Sequence, residues 1–277
     1  MQDKRLLTIQ DISCVGQCSL TVALPVISAC GIECGILPSS VLSNHTAGFS
    51  AWTFYDLTQE MPNILAQWKK EKVDFDAFYT GYVSKAQIPH ILDIMEQTAR
   101  PGALRIVDPV MADNGKLYAG FDEDFPLEMR KLCQGADVIL PNLTEASFLL
   151  GVPYVAEGYD REYIETMLRN LHGLGAKNVV LTGISFEPGK LGVACFDGEK
   201  TDYYFTDRLE VSMHGTGDCY ASAFAGALLR GRTIIEAASI AADFVVETIR
   251  QTMPDPSHWY GVKFEKALPY LIERLNG

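Results

Sequence analysis

The segment HGTGDCYASAFAG, residues 214–226, sets two glycines around a threonine, follows them at once with an aspartate, and then runs into small, mostly apolar residues. Read locally, it is a loop entering a helix. Gly-Thr-Gly turns the chain, Asp218 stands in the first helical turn, and small side chains let the helix pack closely. A second reading is chemical. Backbone amides at a helix N-terminus attract anionic oxygen, and glycine lets that backbone come close to a ligand. An aspartate there would repel a phosphate that is merely bound. It fits a group that takes the proton of an attacking hydroxyl while the amides of Gly215, Thr216 and Gly217 stabilise a phosphoryl group in transfer.

Outward from this segment, short apolar runs alternate with helical patterns. RLLTIQ (5–10), FDAFYTGY (75–82), ALRIVDPV (103–110), ADVILPN (136–142) and NVVLTG (178–183) read as buried strands, each followed by a polar loop and a helical stretch. SLTVALPVISAC (19–30) reads as a helix that tolerates Pro25. This alternation predicts an α/β fold, a mostly parallel central sheet flanked by helices on both faces, in one domain over 1–277. LGVACFDG and KTDYYFTD predict a small antiparallel addition that turns near Asp197 and Gly198. Helices are expected at 217–230, 233–252 and 263–275. Ligands of such sheets bind beyond the carboxyl ends of the strands. The residues found there are Asp11, the SNHT of 43–46, Tyr82, Asp108, Asn142 with Glu145, Thr182 and Asp218. Carboxylates gathered at one sheet edge are costly unless a cation or a proton sits among them.

Composition narrows the function. With 277 residues, 48% hydrophobic and 21% charged, the chain can bury a large core. Lys+Arg 23 against Asp+Glu 35 leaves a net charge of -12, which argues against a nucleic-acid footprint and an acidic membrane surface. The absence of a membrane-length apolar run and of a signal-like start points to the cytoplasm. Cys14, Cys18, Cys30 and Cys34 form two C-x-x-x-C pairs whose spacing matches no common zinc finger. Cys30 and Cys34 fall where free cysteine acts as a small hydrophobe, whereas Cys14 and Cys18 lie in a polar loop suited to a ligand. No G-x-x-x-x-G-K-[ST] loop occurs, and Tyr220 holds the position of the last glycine of G-x-G-x-x-G, so both usual nucleotide signatures are missing.

Seven motifs stand in order along the chain: TIQ at its start, VLSNHTAGF (41–49), TGY (80–82), VDPVMADNGKLY (107–118), LPNLTEASFL (140–149), VVLTG (179–183) and GTGD (215–218). In this order and spacing the sequence resembles, nearly end to end, the pyridoxal (pyridoxine, pyridoxamine) kinases of the ribokinase superfamily. The resemblance implies phosphorylation by ATP, with Mg²⁺, of the 5′-hydroxymethyl group of a B6 vitamer. It also implies a homodimer, and leaves a monovalent cation open. By matched position it implies Asp218 as catalytic base and the amides around Gly215, Thr216 and Gly217 as an anion hole. Asn142 and Glu145 match a magnesium-and-phosphate element; Asp108 and Asp113 match positions near phosphates and metal, with Glu145 and Asp108 as the metal ligands. Tyr118 matches a nucleotide contact, Thr182 an ATP-phosphate contact, and Ser43, Thr46 and Tyr82 the residues that hold the pyridine ring.

Local readings stand beside these. Asp113 is also a turn nucleator, Tyr82 a packing aromatic, Glu145 a first-turn helix acid and His45 a structural histidine. The sequence departs from the pattern at Asp11, where a serine is usual and where a carboxylate could accept from a ring nitrogen or an ammonium, and at GQCSL (16–20). Hydroxymethylpyrimidine kinases share the fold and chemistry and often carry cysteine where Asp218 stands. Asp218 therefore favours the pyridoxal kinase reading, and Cys219 next to it keeps the other open. A non-catalytic ligand sensor on the same fold is the third reading, against which Asp218, Asn142 and Glu145 count.

Overall fold

A nearly unbroken apolar run makes the first strand a buried one. In β1 (Arg5–Ser13), Leu6, Leu7 and Ile9 are fully buried and the intervening Thr8 takes a hydrogen bond from Gln10 Nε2, so the strand can be covered on both faces. The structure is a computed structural model that describes residues 4–277. By contact density the chain divides into two units, one running to Ala103 and resuming over Leu209–Gly277, the other Leu104–Arg208.

The first unit continues through α1 (Leu20–Ala29), β2 (Glu33–Leu42), β3 (Phe54–Asp56), α2 (Met61–Glu71), β4 (Phe75–Thr80) and α3 (Ile88–Thr98). β1 pairs in parallel with β2, Leu6 opposite Cys34, and with β4, Leu6 opposite Ala77. The short β3 runs antiparallel to β2. Between Gln10 and Ile12 the β1–β2 register slips, so that Asp11 faces Ser39 and Ser40 rather than one partner. A bulge of this kind re-aims a side chain at the end of a ladder.

β5 (Ala99–Val107) carries the chain into the second unit. A hairpin of β6 (Ala112–Asp113) and β7 (Lys116–Leu117) follows, turning through Asn114 and Gly115, both at positive φ. Then come α4 (Phe125–Cys133), β8 (Val138–Ile139), α5 (Leu143–Leu150), α6 (Arg161–His172), β9 (Asn178–Ile184), β10 (Lys190–Phe196) and β11 (Thr201–Asp207). β8 pairs in parallel with β5 and β9, and β10 lies antiparallel between β9 and β11. The arrangement is therefore mostly parallel with a small antiparallel addition, as the sequence predicts. The expected strands at 103–110 and 136–142 are displaced: β5 begins at Ala99 and β8 is two residues long. The hairpin and β3 were not anticipated.

The chain returns to the first unit for α7 (Thr216–Leu229), α8 (Ile234–Thr252) and α9 (Phe264–Asn276). Small side chains give α7 its close packing on α1 and α8. A Cβ at Gly226 would lie 2.4 Å from Cys30 Sγ, so Cys30 serves as a buried packing group. All seven cysteines are free thiols. Among the described residues, no helix is long and apolar enough to cross a membrane.

Candidate active site

In the first unit, the sequence around Asp218 is held by backbone geometry. Gly215, the N-cap of α7, has φ 81°, and a Cβ there would sit 1.8 Å from the Gln17 carbonyl oxygen. Only glycine fits that approach. Thr216 Oγ1 donates to Met213 O at 3.2 Å, and no side chain caps the helix. The first amides of α7 thus lack helical acceptors by position and are available to an anion.

Asp218 stands in that first turn, half-buried. Burial pushes its carboxyl up to about 7; the Ser19 amide opposes this by donating a hydrogen bond, and the charge of Asp11 adds to it. Asp11, 4% exposed at the β1 bulge, accepts from Ser13 Oγ at 2.9 Å. Its own carboxyl is raised by burial, against hydrogen bonds from Ser19 and Ser13. Tyr82 lies close enough for the Asp11 charge, after burial, to raise its phenol. The structure therefore places Asp11, Tyr82 and Asp218 in one neighbourhood.

The other predicted ring contacts are placed differently. Ser43 Oγ donates to Asn44 Oδ1 at 2.8 Å and accepts from Thr53 N at 2.9 Å, so it also organises its own turn, while Thr46 is exposed. His45 is structural: Nδ1 accepts from Ala47 N at 3.1 Å, which leaves Nε2 as the donor to Tyr260 O at 2.8 Å.

The second unit holds the other half of the predicted residues. Asn142 and Glu145 form a reciprocal cap on α5: Asn142 Oδ1 accepts from Glu145 N and Glu145 Oε2 from Asn142 N, both at 2.9 Å. Glu145 Oε1 also accepts from Met111 N at 3.2 Å, and Asn142 Nδ2 donates to Ala112 O at 3.0 Å, tying the cap to β6. Burial holds the Glu145 carboxyl well above the usual range. Asp108 is buried at the end of β5, and the charges of both Glu145 and Asp108 are felt by the buried Cys133 thiol. Thr182 bridges to Asn142 in parallel fashion, its amide on Pro141 O at 2.9 Å. Asp113 is exposed, with Oδ1 accepting from Asn114 N at 2.9 Å and Oδ2 from Asn114 Nδ2 at 3.0 Å, so it shapes the hairpin turn. Tyr118 is 39% exposed, its amide on Met111 O at 2.9 Å.

The model of the family described as phosphomethylpyrimidine kinase matches residues 27–261. The chain belongs to the phosphomethylpyrimidine kinase family. It is an enzyme, a small-molecule kinase with a ribokinase-like fold. A structure from Bacteroides thetaiotaomicron assigned to this family, in its orthorhombic form with pyridoxal, is 38% identical, with 98% of this chain and 96% of that chain covered and a TM-score of 0.91. Pyridoxal kinase from Lactobacillus plantarum is 34% identical, covers 98% and 97% of the two chains and has a TM-score of 0.89. Pyridoxal kinase from Dictyostelium discoideum is 27% identical over 92% of this chain and 90% of its own. The likeness to pyridoxal kinases read from the motifs is thereby borne out.

Two serines beside Asp11 escaped sequence reading. Ser13 could have been noticed as a hydroxyl two residues beyond Asp11 on the same face of β1. Ser19 carried no such signal, because serine does not announce the positive φ that it adopts.

Proposed function

We propose that this kinase transfers the γ-phosphoryl group of ATP to the 5′-hydroxymethyl group of pyridoxal, pyridoxine or pyridoxamine, acting as one domain over 1–277. The observation that carries the reading is Asp218: a carboxyl at the open N-terminus of α7, raised to about 7 and so matched to accept a proton near neutrality. The acceptor hydroxyl gives its proton to Asp218 as its oxygen bonds to phosphorus, and the bond to the leaving ADP oxygen breaks in line. The amides of Gly215, Thr216 and Gly217 face the charge that spreads over the phosphoryl oxygens.

Mg²⁺ fits the carboxylates of the second unit. Among the described residues, no group of three or more His, Cys, Asp or Glu side chains is arranged to hold a metal. A mostly hydrated Mg²⁺ needs only one or two carboxylates besides nucleotide phosphates. Asp108 and Glu145 are buried acids whose charges are both felt at the Cys133 thiol, an oxygen-donor pair that suits that role. When bound, the ion would neutralise phosphate charge.

The test is Asp218→Asn, which keeps the shape of the side chain and cannot take a proton. Its kcat on pyridoxal is expected to fall by about 10² to 10⁴ with the fold retained. A variant keeping more than about a tenth of wild-type kcat would remove the base from the mechanism. A second acceptor, hydroxymethylpyrimidine, is favoured by Asp11, a buried carboxylate able to take a hydrogen bond from an amino-substituted ring. Asp11→Ser is expected to change the ratio of activities on pyridoxal, pyridoxamine and hydroxymethylpyrimidine more than the KM for ATP. Equal effects on all acceptors would show that Asp11 does not read the ring.

A further inference from the structure

Trp259 stands in the segment that joins α8 to α9 and is 52% exposed. Its ring lies on Phe49, with centroids 4.8 Å apart and planes tilted by 54°. It also covers Gly48, where a Cβ would meet Trp259 Cζ3 at 3.1 Å and His214 Nε2 at 3.7 Å. Gly48 has φ 80°, a left-handed backbone that favours glycine, and the missing side chain lets both rings come close. The turn that carries Thr46 therefore lies against Trp259 and against His214, the residue before Gly215. The segment behind the ring is fixed by its backbone. Tyr260 O accepts from His45 Nε2 at 2.8 Å and from Gln17 N at 3.4 Å, Val262 N donates to His214 O at 3.2 Å, and a Cβ at Gly261 would lie 2.4 Å from that of Gln17. Trp259 is thus a half-exposed ring on an anchored strap, and Thr46, Gly48 and His214 beside it are exposed. Contacts among such groups bury little apolar area and add little to stability. What they fix is where the Thr46 turn sits relative to His214 and the helix start that follows it.

We propose that Trp259 is a positioning residue for the acceptor: it seats the turn of residues 46–49 beside the approach to α7 and so sets how Thr46 meets the ring of a B6 vitamer. This rests on the reading of the chain as a B6 kinase in which Thr46 holds the pyridine ring. Trp259 acts by the shape and area of its ring, so another aromatic side chain can replace it and a methyl group cannot. Its contacts are with the turn after β2 and, through the strap, with His45, Gln17 and His214, all in the first unit. The residues matched to the nucleotide, Tyr118, Asn142 and Thr182, belong to the second unit. Loss of the ring is therefore felt in acceptor binding and not in ATP binding.

The experiment is steady-state kinetics with Mg-ATP and pyridoxal for the wild type, Trp259→Ala, Trp259→Phe and Gly48→Ala. Trp259→Ala is expected to raise the KM for pyridoxal about five- to tenfold, with kcat within about threefold and the KM for ATP within about twofold of wild type, the pattern of lost ground-state positioning. Its melting temperature should stay within about 2 °C of wild type, because half of the ring is already in solvent. Trp259→Phe keeps a ring on Phe49 and Gly48 and should bring the KM for pyridoxal back to within about twofold of wild type. Gly48→Ala sets a Cβ against the Trp259 ring and should raise the same KM, by a larger factor in the wild-type background than in Trp259→Ala, where the ring is gone. An unchanged KM for pyridoxal in Trp259→Ala, or a KM for ATP that rises as much as the KM for pyridoxal, would overturn the proposal. If Trp259→Ala does not fold, Gly48→Ala decides by the same two KM values. A wild type that leaves pyridoxal unphosphorylated sinks the B6 reading and this proposal with it, whereas an active wild type beside an unchanged KM in Trp259→Ala sinks Trp259 alone.

Discussion

Asp218 carries a proton that bears on stability. Its folded pKa of about 7 lies above the ordinary 3.8, so the folded state binds this proton more tightly than the unfolded chain does. The stability so gained is complete below 3.8 and is lost as the pH rises to about 7. Asp218→Asn lacks this titration. The melting-temperature difference, variant minus wild type, is therefore expected to widen between pH 3.8 and about 7 and to stay level above it. Melting curves across that range check this, and a constant difference would mean that the carboxyl is not held neutral by its surroundings. The position of Asp218 was legible in the sequence, as an aspartate that follows Gly-Thr-Gly at a helix start. Its raised pKa was not, since that depends on burial and on the charge of Asp11, about 200 residues away in the chain and brought there only by packing.

At the scale of elements, the start of α7 can be taken apart with two glycines. Gly215→Ala puts a Cβ against the Gln17 carbonyl at a residue with positive φ; neither atom can rotate away, and a loss on the order of 1–3 kcal/mol is expected in denaturant unfolding, together with activity. Gly217 has open space where a Cβ would go and lies inside the first helical turn. Gly217→Ala should leave stability unchanged or raise it by up to ~1 kcal/mol while lowering kcat/KM for ATP, if the bare backbone is needed for a phosphate to approach. Equal kcat/KM for wild type and Gly217→Ala would show that no ligand comes close to residue 217. On α5, Asn142→Ala removes both the cap and the link to Ala112, and about 1–2 kcal/mol should be lost. The helix starts at α5 and α7 were readable because the Asn142–Glu145 cap and the Gly-Thr-Gly turn are local chemistry. The strands of the β6–β7 hairpin were not, as two-residue strands carry no periodic signal, although Asp113 had been read as able to nucleate a turn there.

For the whole molecule, the net charge of -12 fits an anionic nucleotide that arrives with its own cation rather than one drawn in by a basic surface. Chelation of Mg²⁺ is therefore expected to abolish turnover and to leave the melting temperature unchanged, because the described residues contain no ligand cluster on which folding could depend. A chelator that also lowered the melting temperature would point to a structural ion. The sequence by itself determined the α/β class, the kinase family and the positions of Asp218, Asn142 and Glu145, since periodicity, helix caps and glycine-bounded turns act between neighbours in the chain. Only the tertiary structure decided that the Glu145 oxygens are taken up by the amides of Met111 and Asn142, that His45 is structural, and that Asp11 is buried beside Tyr82. Burial, desolvation and the direction of a hydrogen bond arise from which distant segments meet, and no spacing within the chain records that.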